Sequence, residues 1–148
     1  MSERGALTRM SDKKRYFEER VDHWKKVLLV DPKITVQIRY KLEDVGDDEP
    51  ISESLKLEEM LVTNLEAAFL GPERMERVNQ IMRRHDGTWA DCDCGSGQYN
   101  WFVITFYKNL LKLNGDDYEV FADRCALHEC LHVVLWPFAS YAENVARN

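Results

Sequence analysis

The sequence predicts one α+β domain: a small, mainly antiparallel sheet packed on an N-terminal helix and on a long helix near the C-terminus. Three observations predict it. Segments 12–30 and 117–136 repeat apolar residues at helical spacing. Segment 34–40 alternates apolar and polar residues with period two. Segment 99–107, reading YNWFVITFY, is dense in aromatic and β-branched residues. The chain has 148 residues, 45% of them hydrophobic and 31% charged. That balance suits a single globular domain over 1–148 and excludes a chain disordered throughout.

Ser11 is placed to cap a first helix from Asp12 to about Val30. Phe17, Val21, Trp24 and Leu28 form its apolar face, with Lys13, Lys14, Glu18, Lys25 and Lys26 opposite. Asp31-Pro32 stops it, since the residue before proline is pushed away from helical geometry. Ile34, Val36, Ile38 and Tyr40 then share one face of a half-buried strand. The acidic stretch 43–50 reads as a loop. Leu57, Leu61, Leu65 and Phe69 recur every four residues and predict the apolar face of a second helix. Gly71 ends it and Pro72 opens a third, which runs to about Arg84. These two helices, at about 52–86, read as a helical insertion between strands. Segments 89–94 and 99–107 read as a hairpin turning at Gly95-Ser-Gly97. Asn114-Gly115 breaks the chain, and Asp116 with Glu119 resembles a capping box for the long helix. Pro137 is expected to kink or end that helix, with a short terminal helix from Phe138 to Arg147.

The apolar run around Val133 to Ala139 falls far short of the roughly 18 residues of a membrane span, so no membrane is expected. The N-terminal stretch has charges but no apolar segment of the secretory kind. Four cysteines are too few for a disulfide framework, and a reducing, cytoplasmic setting is expected. A net charge of −6 argues against a protein whose task is gripping nucleic-acid phosphate.

The motif with chemistry in it is His128-Glu129-Cys130-Leu131-His132, an H-E-x-x-H on the long helix. Residues four apart share a helix face, so both imidazoles can hold one zinc ion. Glu129 is turned about 100° from His128, where a carboxylate can act as general base without being a ligand. The flanking residues are uncharged, which predicts a buried helix. Cys92-x-Cys94 lacks the second pair of a zinc knuckle, and Cys125 and Cys130 read as buried thiols.

With His128, Glu129 and His132 preceded by helix, strand and hairpin, the chain resembles the zincin metallopeptidases. It is most similar to the compact zincin-like proteins of phage and prophage genomes. The resemblance implies zinc as cofactor, a peptide or protein substrate, and Glu129 as catalytic base. It also implies a substrate-aligning strand before the motif helix; Tyr99 to Tyr107 hold that place, with Tyr99, Trp101 and Val103 as substrate-binding candidates. The third zinc ligand of the metzincins is missing, because Leu135 stands for their glycine and Phe138 for their third histidine. Glu143 is then the strong donor downstream, if the chain turns at Pro137; a ligand beyond residue 148 is the other option. "HECLHVVLW" is also similar to the motif helix of SprT-like proteases, which need a further downstream histidine that this chain lacks. The rival function class is a non-catalytic zincin-like binding or regulatory module, such as a phage accessory protein.

Overall fold

The computed structural model describes residues 9–42, 53–84, 90–94 and 100–147. Helix α1 spans Met10–Val27 and strand β1 Thr35–Lys41. Helices α2, Glu53–Leu70, and α3, Pro72–Arg84, follow. Strands β2, Ala90–Cys94, and β3, Trp101–Tyr107, lead through a short helix α4, Lys108–Leu111, into α5, Gly115–Arg147. The class is α+β, as the periodicities predict, and mostly helical.

The sheet has the order β1-β3-β2. β2 and β3 pair antiparallel, with Cys92 opposite Ile104. β1 pairs parallel with β3, with Ile38 opposite Ile104. The expectation of a mainly antiparallel sheet is therefore corrected: its longer ladder is parallel. A parallel pair needs a long crossover connection. The helices α2 and α3, which read as an insertion, lie on that connection. β1 keeps its period of two, with Val36, Ile38 and Tyr40 packed against the core. β3 buries Phe102, Ile104 and Phe106 on one face. The Phe106 ring meets Phe17 of α1 edge-on at 5.0 Å between centroids.

Helix α1 buries Phe17, Val21 and Trp24, as its spacing predicts. Its cap is Arg9 rather than Ser11, and no side chain caps it. Lys13 leaves the expected polar face and is buried. Its Nζ donates to Leu111 O at 2.6 Å and Asn114 Oδ1 at 2.8 Å, so it closes the C-terminal end of α4. Gly71 takes φ +85° and ends α2, and Pro72 starts α3, as expected.

The described middle of helix α5 is largely enclosed. Tyr118, Phe121, Ala122, Cys125, Ala126 and Leu127 are fully buried in the core. A helix that is apolar around its circumference belongs in a protein's centre. It starts at Gly115, where φ +57° favours glycine, so Asp116 and Asp117 lie in the first turn and complement the positive end of its dipole. It continues through Pro137 to Arg147 as one helix, which corrects the expected break. An internal proline removes one backbone hydrogen bond and does not by itself end a helix this long. Among the described residues, no helix is long and apolar enough to cross a membrane.

Asp123 ties α5 to α1. It accepts from Arg20 Nε and Trp24 Nε1, both at 2.7 Å, while almost wholly buried. Asp123→Ala should cost about 3 kcal/mol, because it strands two donors in a partly dry site. Urea denaturation measures this; an unchanged midpoint would contradict the assignment.

Candidate metal centre

His128, Glu129 and His132 follow the fully buried stretch of α5. His128 is 7% exposed and Glu129 4%. One turn of helix brings the two imidazoles edge to face, with centroids 5.1 Å apart. The wall they face is α2. Glu59 lies opposite His132, whereas Glu66 lies opposite His128 and Arg124, so the two helices run antiparallel.

α2 meets α5 with a face the periodicity did not predict. The four-residue leucine stripe is turned outward: Leu61, Leu65 and Phe69 are exposed, and the Leu57 side chain lies outside the described residues. The buried ridge is Glu58, Val62, Glu66 and Leu70. The cause is on α5. Arg124, His128 and His132 need acceptors, and burying such groups without partners costs more than exposing three apolar side chains. Phe69 keeps part of its packing through an edge contact with Trp24.

Glu59 bridges the two histidines. Its Oε2 lies 3.2 Å from His128 Nε2, and its Oε1 lies 2.6 Å from His132 Nε2. One donor atom from each of these three residues falls within 4.8 Å of the others. Each imidazole is held from behind by a second carboxylate. Glu66 Oε2 lies 2.5 Å from His128 Nδ1, and Glu58 Oε2 lies 3.5 Å from His132 Nδ1. Arg124 donates from Nε to Glu66 Oε1 at 2.7 Å. Burial opposes charge on His132, but the hydrogen-bonded carboxylates of Glu58 and Glu59 outweigh it and hold its pKa up at about 10. His128 is raised in the same way, against its burial, by Glu59 and Glu66. Burial would raise Glu59 and Glu66, yet their histidine partners, with Arg124 helping Glu66, hold both carboxyls below the usual range.

The donor set fits a metal. Two imidazole nitrogens and one carboxylate oxygen form a common catalytic zinc set that leaves a coordination position open. Two outer carboxylates on the Nδ1 atoms are the usual support for such ligands. The Glu59 side chain is 40% exposed while those of His128 and His132 are 9% and 15% exposed, so the set faces solvent on the Glu59 side.

His128, Glu129 and His132 are visible in the sequence as a motif, and Glu59 is not. Its trace in the sequence is Glu58, Glu59 and Glu66 within an otherwise leucine-rich helix, seven and eight positions apart and so near one face. The fold-back proposed for Glu143 is absent. Eleven residues of continuous helix carry that position about 16 Å along the axis from His132. The Glu143 side chain itself lies outside the described residues.

The substrate-strand expectation is also corrected. β3 is the central strand, hydrogen-bonded on both edges, so it has no free backbone to offer a peptide. Trp101 and Val103 alternate with Phe102 and Ile104, and so lie on the sheet face away from the core and α5. Tyr99 lies outside the described residues, as do the side chains of Cys92 and Cys94. Cys125 and Cys130 are buried free thiols, and desolvation pushes both up to about 12. Neither offers a thiolate near neutral pH.

No family model, no curated protein and no solved structure matches the chain.

Proposed function

We propose that this protein is a zinc-dependent peptidase in which His128, His132 and Glu59 hold the metal and Glu129 is the general base. The observation that carries the reading is the meeting of a carboxylate from α2 with both histidines of an H-E-x-x-H helix. Zinc bound there would polarise a scissile carbonyl and acidify a neighbouring water. Glu129 accepts the proton of the attacking water and passes it to the leaving amide nitrogen. The buried position of Glu129 favours this role, because a carboxylate shielded from bulk water interacts more strongly with what it faces. His128 and His132 stay oriented through Glu66 and Glu58, and substrate would enter from the exposed side of Glu59.

A peptide or protein substrate aligns on β2 rather than β3. β2 packs against α5 and is an edge strand, with only β3 beside it among the described residues. An unpaired strand edge can add an extended peptide through main-chain hydrogen bonds. The expected setting is a reducing compartment such as the cytoplasm, where Cys125 and Cys130 stay thiols.

A peptide-library digest tests the reading. Cleavage should vanish with a chelator and return with added zinc. Cleavage that ignores both would contradict it, and zinc binding with no cleavage would favour the non-catalytic module.

A further inference from the structure

Glu66 and Arg124 form a device that the zinc reading needs but the motif does not contain. His128 can offer Nε2 to a metal only if its proton sits on Nδ1. Two groups compete over that Nδ1. The Glu66 carboxylate, an acceptor, lies 2.5 Å away through Oε2. The Arg124 guanidinium, which can only donate, has Nη2 3.2 Å from the same atom. The nearer carboxylate keeps a proton on Nδ1, and its other oxygen is occupied by Arg124 Nε at 2.7 Å; Glu59 Oε2, 3.2 Å from Nε2, faces the nitrogen whose proton a metal would displace. Glu66 is 1% exposed, so water cannot substitute for it.

We propose that Glu66, oriented by Arg124, is a positioning residue that fixes the metal-binding tautomer of His128, and that Arg124 sets the sign of that control. This deepens the zinc reading and rests on it. An amide at position 66 shows why Arg124 matters. Arg124 Nε–H would claim the amide oxygen, because it needs an acceptor. The amide NH₂ would then face His128 Nδ1 beside Arg124 Nη2. Both are donors, so Nδ1 would have to accept and the proton would move to Nε2, where the metal binds. A change that preserves size and shape would therefore block the ligand. Glu58 is the weaker counterpart on His132, at 3.5 Å.

Zinc affinity, measured by competition with a chromophoric chelator on the full chain, tests this. Glu66→Gln should weaken zinc 10- to 100-fold, the usual effect of losing an outer-shell partner. Its metal-free thermal melt, run alongside, should be lowered by the lost ion pair but keep one cooperative transition, because the amide keeps the size of the carboxylate. Adding Arg124→Leu to Glu66→Gln frees the amide to turn its oxygen to Nδ1–H, so most of the lost affinity should return. A purely structural role for the pair would make the double change worse than the single one. Equal affinity of Glu66→Gln and the unaltered protein, or no recovery in the double variant, would overturn the inference and leave the zinc reading standing. If the unaltered protein binds no zinc, both fall.

Discussion

Glu129→Gln should lower kcat on a cleaved peptide by 10²- to 10⁴-fold, the usual contribution of a positioned general base. The amide matches the carboxylate in size, so the buried site should keep its packing. It cannot take a proton from water. Zinc stoichiometry and affinity should stay near those of the unaltered protein, because Glu129 is not one of the converging donors. Loss of turnover with metal retained separates a base from a ligand. Equal turnover in the two proteins would remove Glu129 from the chemistry.

Glu59→Ala should have the largest effect on the metal. Removing one of three donors leaves two histidines on one helix and no metal donor from α2. Zinc affinity should fall by more than 100-fold, beyond the effect of any outer-shell change. The double change His128→Ala, His132→Ala should abolish binding altogether. Glu143→Ala is the informative control and should leave affinity unchanged, since its position lies about 16 Å farther along a continuous α5. Chelator competition on the four proteins decides the matter. An affinity lost with Glu143 and kept without Glu59 would reverse the ligand assignment.

Much of this architecture was legible in the residues, and what was hidden has physical causes. Phe17, Val21 and Trp24 marked the inner face of α1, and Val36, Ile38 and Tyr40 that of β1, because both elements bury one apolar face. Gly71-Pro72 marked the α2–α3 junction through backbone preference alone. The motif on α5 was local in sequence, and so was its chemistry. α2 misled because its apolar stripe was read as its core face. Periodicity assumes that the partner surface is apolar, whereas here the partner presents Arg124, His128 and His132. Glu59 was invisible for the same reason: nothing local distinguishes a carboxylate that will bridge two histidines from a solvated one until a helix 69 positions away meets it. The parallel pairing of β1 with β3 was hidden because a long connection, not a local turn, sets it. β3 was the strongest strand signal for the same reason that it has no free edge for a peptide. A strand with this many apolar residues belongs in the middle of a sheet.

The central claim is that one metal ion bridges α2 and α5 through Glu59, His128 and His132. Anomalous diffraction at the zinc absorption edge, on crystals of the full chain grown with zinc, tests it most directly. The expected result is one peak per chain, about 2.0–2.2 Å from His128 Nε2, His132 Nε2 and a Glu59 carboxylate oxygen. A peak on Cys92 and Cys94, or no peak between the two helices, would contradict it.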